Sequence, residues 1–276
     1  MLGYVCKYTP MELFEAMDTE ITRLEPSVTD FNHADTLMHA NICSYTKAVL
    51  EDVMEHDYEG VILTTCCDSI RRLYDTLKSQ FPDKFFFLLD IPRKFNDFAV
   101  ALYERQLKQM LTEYEAFSGK TLDLKRFVSM MQNKAALKKQ ENTRMSSSAV
   151  SEKGNGQKLN IGIMGARCNN EIRQLLVDRG ANLLFDLTCT GLARDFSITE
   201  DQVLHSYAAA LLNQIPCMRM LKAANREHFL DGFTDRLDGI IYHTVKFCDS
   251  YSYEYADFRQ RLDLPILLVE TDSTRQ

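Results

Sequence analysis

The chain has 276 residues, of which 45% are hydrophobic and 26% are charged, and its formal net charge is −7. At roughly 150 residues per domain, this length predicts about two domains, each large enough to bury a core. The composition excludes collagen-like chains, low-complexity disorder and disulfide-rich miniproteins. The acidic balance argues against nonspecific binding of nucleic acids, which needs a basic surface.

The N-terminal sequence MLGYVCKYTPMELFEAM has no basic region followed by an apolar run, so it predicts no signal peptide. The longest apolar runs, such as FFFLLDI and PILLV, are far too short to cross a membrane. We therefore expect a soluble, cytoplasmic protein with no membrane or nucleic-acid partner.

Short apolar runs alternate with amphipathic stretches along the chain. The apolar runs predict β-strands at residues 3–7, 61–65, 85–91, 160–164, 182–187, 239–245 and 265–270. The amphipathic stretches predict helices at residues 69–78, 98–117, 171–179 and 199–213. This alternation predicts an α/β fold with parallel sheets.

Residues 138–158 are polar, rich in Ser and Gly, and have no apolar period. They predict a flexible linker between an N-terminal α/β domain at 1–137 and a C-terminal α/β domain at 159–276. An ordered surface loop is the alternative.

The second half of the sequence repeats features of the first. EGVILTTCCDS, from Glu59, corresponds to DGIIYHTVKFCDS, from Asp238. Each is followed by an apolar strand that ends in an acidic residue, in FFFLLDIPRK and PILLVETDS. Several similarities in the same order predict a duplicated α/β domain.

Eight cysteines are the main indication of chemistry, because disulfides are rare in a reducing cytoplasm and clustered cysteines there indicate metal or redox sites. The alternative is that they are small buried hydrophobic residues. Cys67, Cys189 and Cys248 each follow a predicted strand, and the carboxyl ends of parallel strands form the usual ligand crevice. Thiolates at such a crevice are the ligands of iron–sulfur clusters.

The spacing of the cysteines also narrows the kind of site. No C-x-x-C pair occurs, which excludes a ferredoxin-type run and a zinc ribbon, although zinc held by scattered Cys and His stays open. Cys66 and Cys67 are adjacent, so on an extended chain they point to opposite sides and only one faces the site. We expect Asp68 and Asp249 to cap the helices that follow them.

The absence of two well-known motifs argues against two enzyme classes. No G-x-x-x-x-G-K-[ST] or G-x-S-x-G motif is present, so we expect neither ATP binding through a P-loop nor serine hydrolase chemistry. His243 lies within an apolar run and is expected to be a hydrogen-bonded core residue.

The segments CSYTK, TTCCDSIRRLYD, LLDIPRK, DLTCTG and KFCDSY with LLVETD together resemble the 2-hydroxyacyl-CoA dehydratase D-component family, which includes benzoyl-CoA reductase subunits and double-cubane cluster proteins. The resemblance implies two similar flavodoxin-like, Rossmann-like domains with a 4Fe-4S cluster in the cleft between them. By motif, the cluster ligands are Cys43, Cys67 and Cys248.

The activity that the resemblance implies is that of an anaerobic lyase or oxidoreductase. An ATP-dependent activator iron–sulfur protein delivers one electron, and an acyl-CoA thioester then undergoes reductive radical dehydration or reduction. The resemblance also implies a homodimer or a heterodimer with a homologous subunit. For contact with an acyl-CoA, the candidates are Arg71, Arg72, Arg93 and Lys94, and no catalytic acid or base is assigned.

Two alternatives stay open within this family. A double-cubane 8Fe-9S cluster that reduces small molecules would need additional ligands, for which Cys168, Cys189 and Cys217 are the candidates. A noncatalytic cluster-bearing electron-transfer subunit is the second alternative.

Overall fold

The computed structural model describes residues 1–146, 158–168, 170–191, 198–221 and 224–274. The first half contains β1 (Leu2–Tyr4), α1 (Met11–Ala16), β2 (Ile21–Arg23), α2 (Asn32–Leu37), α3 (Ser44–Glu55), β3 (Gly60–Thr64), α4 (Asp68–Gln80), β4 (Phe85–Leu89), α5 (Asp97–Ser118) and α6 (Leu124–Ser146). The second half contains β5 (Asn160–Gly165), α7 (Asn170–Asp178), β6 (Asn182–Thr188), α8 (Val203–Leu212), α9 (Ala224–Asp231), a 3-10 turn (Thr234–Arg236), β7 (Gly239–Val245), α10 (Asp249–Arg261) and β8 (Ile266–Thr271).

Each half forms a four-stranded parallel sheet, and the two sheets have the same strand order. The order is β2-β1-β3-β4 in the first sheet and β6-β5-β7-β8 in the second. These are the first four positions of the flavodoxin-like order, so the predicted fold of two similar α/β domains is confirmed. The order reverses between β1 and β3 and between β5 and β7, and ligands bind beyond the carboxyl ends of strands at such points.

The seven strands predicted from the sequence are all present, and only their ends differ. Strand β2 was not predicted because three residues are too few to show a period, and its pairing with β1 defines it. Helix α6 extends to Ser146 and so covers the start of the predicted linker, whose Lys, Gln and Glu residues are good helix formers. Residues 147–157 lie outside the described ranges, and the linker and domain boundaries stay predictions.

Packing crosses the sequence boundary between the two halves. Helix α8 packs against α5, and its Tyr207 and Leu211 are fully buried in the core of the first sheet. A second core joins Val61 of β3 to Tyr242 of β7. The halves are therefore held together by apolar burial, which keeps the ends of their strands in a fixed arrangement.

Among the residues that the structure describes, no helix combines the length and the apolar character needed to cross a membrane. The longest helices, α5 and α6, carry charged residues along their length. This agrees with the short apolar runs of the sequence.

Candidate functional site

A cavity of about 120 Å³ is lined by residues that follow strands of both sheets. Seven of the eight cysteines line it: Cys6, Cys43, Cys66, Cys67, Cys189, Cys217 and Cys248. The other lining residues are apolar or hydroxyl-bearing, together with three cations, and no carboxylate is among the described residues of the lining. Pockets for drug-sized ligands are roughly 300–1,000 Å³, so this cavity accommodates only a compact group.

Three of these cysteines occupy equivalent places at the start of a helix. Cys43 is the N-cap residue of α3, Cys67 of α4 and Cys248 of α10. The positive end of each helix dipole therefore lies at a sulfur that lines the cavity, where it can help to stabilise the negative charge of a bound group. The prediction that Asp68 and Asp249 cap these helices is wrong. Each is the first residue inside its helix, because the cysteine before it takes the N-cap position.

Backbone contacts bring the two halves together at Cys43 and Cys248. The backbone N–H of Ser44 donates to the carbonyl oxygen of Lys246 at 3.2 Å, which joins the start of α3 to the turn before α10. Phe247 in that turn has a φ of 64°, a left-handed conformation that is strained for a bulky residue. Such strain is typically held in place at functional sites, and here it directs the chain into the Cys248 position.

The connection after β3 places two adjacent cysteines at the cavity. The sequence predicted that Cys66 and Cys67 would point to opposite sides, but both line the cavity. The reason is that the chain turns at Thr65 and Cys66 instead of continuing as an extended strand. The prediction applied an extended-chain rule to a turn.

Cys6 and Cys66 are site residues that sequence reasoning missed. Cys6 follows β1, at the same strand-order reversal as the β3 turn. Applying the rule for carboxyl ends of strands to the first predicted strand would have indicated it. The sequence does not single out Cys6 as a strand-end residue, because the first strand is predicted at residues 3–7 and so includes it, whereas β1 ends at Tyr4.

Burial raises the pKa of several thiols at the cavity. The pKa of Cys6 rises to about 11 and that of Cys248 to about 12, mainly through desolvation and then through neighbouring cysteines. The pKa of Cys189 rises to about 12 for the same reasons. A thiolate in these surroundings needs a positive partner, which a metal centre supplies when it binds.

The cysteines considered for a larger cluster do not all reach the cavity. Cys189 lines it and shares a hydrogen bond of 2.7 Å with the hydroxyl of Tyr251. Cys217 lines it and donates its backbone N–H to the hydroxyl of Tyr8 at 3.4 Å. Cys168 is fully buried after β5 but is not part of the lining. Five of the six candidate ligands therefore surround one space.

The thiols at the cavity do not form a compact single-metal site in this structure. Four thiolates on one tetrahedral zinc ion lie about 3.8 Å apart, given Zn–S bonds of about 2.3 Å. Within the described part of the chain, the group whose three ligand atoms lie within 4.8 Å of one another is His33, Glu51 and Glu55, and it contains no cysteine.

Other candidates from the sequence lie away from the cavity. Arg71 and Arg72 are on the outer part of α4, where they face Asp68 at 4.0 Å and Asp75 at 2.9 Å. His243 is buried, and its Nε2 lies 3.0 Å from the hydroxyl of Thr271, so the prediction of a hydrogen-bonded core histidine is confirmed.

Comparison with known proteins agrees with the duplicated architecture. The family model described as 2-hydroxyglutaryl-CoA dehydratase, D-component, matches the chain twice, over residues 6–149 and 129–276. The first match contains β2, β3 and β4 of the first sheet, the second contains all four strands of the second sheet, and together they cover almost the whole chain. No curated protein matches the chain.

Proposed function

We propose, because the chain belongs to the 2-hydroxyglutaryl-CoA dehydratase D-component family, that its cavity holds one 4Fe-4S cluster and that it serves as the cluster-bearing component of a 2-hydroxyacyl-CoA dehydratase-type enzyme. The ligands would be Cys43, Cys67 and Cys248. The observation that carries the proposal is that all three are N-cap residues at one cavity formed by both halves.

The donor set fits such a cluster. Sulfur is the required ligand, and the lining provides it from both domains without a competing carboxylate among its described residues. When bound, the cluster supplies one-electron transfer and a Lewis-acidic iron. Apolar side chains such as Val5, Ile70 and Val245 complete the wall and keep water away from the metal centre.

The size of the cavity indicates that only part of an acyl-CoA substrate could enter it. A space of about 120 Å³ is too small for a coenzyme A moiety, because pockets for drug-sized ligands are roughly 300–1,000 Å³. The nucleotide part of an acyl-CoA would therefore lie on the protein surface, where Arg93 and Lys94 are exposed. We propose an ATP-dependent activator iron–sulfur protein as the electron donor, since the sequence has no P-loop of its own.

A second candidate is the double-cubane cluster of small-molecule reductases. The thiols of Cys189 and Cys217 at the same cavity favour it, and the position of Cys168 outside the lining disfavours it. A noncatalytic electron-transfer subunit would have the same cluster without turnover. Anaerobic assays of a 2-hydroxyacyl-CoA with ATP and an activator would separate these roles, because only the dehydratase component would support turnover of this substrate.

The ligand assignment is tested by anaerobic reconstitution of cysteine variants with iron and sulfide. We expect Cys43→Ser, Cys67→Ser and Cys248→Ser each to lose most of the bound iron and the visible absorption of the cluster. Cys168→Ser is the matched control, because it removes a buried thiol that does not line the cavity. Full iron content in the first three variants, or equal loss in the control, would refute the assignment.

A further inference from the structure

The loop at residues 215–221 belongs to the second half but is fixed to the first half. At its start, the carbonyl oxygen of Ile215 accepts a hydrogen bond from the Nζ of Lys7. At its end, the backbone N–H of Leu221 donates to the carbonyl oxygen of Arg93 at 2.8 Å. The side chains between these two contacts therefore have a defined position at the cavity.

Arg219 in this loop lines the cavity with only part of its guanidinium paired. Its Nη2 donates to the carbonyl oxygen of Thr65 at 2.7 Å, directly before the two adjacent cysteines. Its Nε and Nη1 are buried and have no hydrogen-bond partner. Buried donors of a charged group are rarely left unpaired, because the loss of their hydration is not offset. These two N–H groups therefore indicate an acceptor bound in the cavity.

The other two lining cations are already paired within the protein. Arg167 donates to the carbonyl oxygens of Val5 and, at 3.1 Å, Leu24, and its guanidinium lies 4.1 Å from the centre of the Tyr45 ring. Lys7 donates to the loop carbonyl described above. Among the described lining residues, Arg219 is thus the cation whose buried donors lack an acceptor.

We propose that Arg219 is the positioning residue that donates Nε–H and Nη1–H to an anionic sulfur of the bound cluster, and that its charge makes the cluster easier to reduce. This inference rests on the proposed function. In the reduction, one electron passes from the reductant to the metal centre, no bond forms or breaks, and the net charge becomes more negative by one. A fixed guanidinium in a low-dielectric cavity stabilises that more negative state, and its hydrogen bonds shorten the distance over which it acts.

The test is a redox titration of the anaerobically reconstituted full chain, with dithionite as reductant and electron paramagnetic resonance as readout. The variants are Arg219→Met, which removes the charge, and Arg219→Gln, which removes the charge but keeps an amide donor for Thr65. Arg259→Met is the control, because it makes the same charge change on the exposed side of α10. Iron content and circular dichroism are measured on each variant.

We expect both neutral Arg219 variants to hold the cluster with a reduction equilibrium at least tenfold less favourable, a shift of about 59 mV to lower potential for one electron. The control should keep the wild-type potential. A wild-type potential in Arg219→Met or Arg219→Gln overturns this inference alone. A wild-type chain that binds no iron overturns the proposed function as well.

If the neutral variants fold but hold no iron, the variant Arg219→Lys tests whether the positive charge alone is enough to retain the cluster. Retention of the cluster by this variant supports a role for the positive charge. Loss of iron in all three folded variants, including the charged one, would mean that Arg219 is needed for assembly of the cluster and not for its potential, and would overturn the inference.

Discussion

A buried ion pair next to the cavity allows a quantitative prediction. Arg226 and Glu254 lie 3.0 Å apart, with only 1% and 6% of their side chains exposed. Arg226 also donates to the carbonyl oxygen of Pro216 at 3.3 Å, and Glu254 accepts the hydroxyl of Tyr242. The pair thus connects the loop that carries Cys217 to helix α10, which begins after Cys248.

The expected cost of breaking this pair follows from its geometry. At an effective dielectric constant of about 20, two unit charges at 3.0 Å attract each other by about 5.5 kcal/mol before desolvation is counted. Burial raises the pKa of Glu254 and Arg226 opposes that rise. The variant Arg226→Met leaves the carboxylate without its cation, and removal of one partner of a buried pair costs about 3–5 kcal/mol. We expect a loss of unfolding free energy of this size.

Urea unfolding followed by circular dichroism measures the loss. The double variant Arg226→Met with Glu254→Leu removes both charges, and we expect it to recover at least half of the lost stability, because no unpaired charge stays buried. A single variant that loses less than about 1 kcal/mol of unfolding free energy, or a double variant less stable than the single one, would show that the buried pair does not have this effect.

Three further predictions concern stability. Burial lowers the pKa of His243 to about 4, below its unfolded value of 6.5, so the unfolded chain binds the proton first as the pH falls. We therefore expect the free energy of unfolding to decrease by up to about 3 kcal/mol between pH 6.5 and pH 4. Gly60→Ala should cost about 3 kcal/mol in urea unfolding, because its Cβ would lie 1.9 Å from the carbonyl oxygen of Phe85 on the paired strand. Tyr251→Phe removes the hydroxyl contact with Cys189 and should cost the cluster-free chain about 1 kcal/mol in thermal unfolding.

Each of these predictions has a matched comparison. A His243→Asn variant should lose that part of the pH dependence, and an unchanged pH profile would contradict the assignment to this residue. Gly232→Ala should be mild, since its Cβ would meet only one atom, at 3.5 Å, and equal losses in both glycine variants would contradict the steric argument. Tyr255→Phe, at a half-buried ring of α10, serves as the control for Tyr251→Phe.

The sequence predicted the α/β class and the repeated strands because parallel, doubly covered strands appear as short apolar runs. The resemblance indicated Cys43, Cys67 and Cys248, and the structure brings all three to one cavity. The helix caps were predicted wrongly. Asp is a preferred N-cap residue, so the sequence favours Asp68 and Asp249, but each helix begins at the Asp and its N-cap is the preceding Cys.

The unpredicted part of the site depends on contacts between distant segments. Arg219 reaches Thr65 across 154 positions of the sequence, and no local pattern encodes that approach. The packing of α8 on α5, which carries the following loop toward the first half, is equally nonlocal. Periodicity identifies which face of a helix is apolar, but not which of two similar domains will cover it.

The most direct test of the central claim is the iron and acid-labile sulfide content of the anaerobically purified and reconstituted wild-type chain, with its electron paramagnetic resonance spectrum after reduction by dithionite. We expect about four iron and four sulfide per chain and a reduced spectrum typical of a 4Fe-4S cluster. About eight iron per chain would instead support the double cubane. A chain that binds no iron after reconstitution would contradict the claim that this thiol-lined cavity is a cluster site.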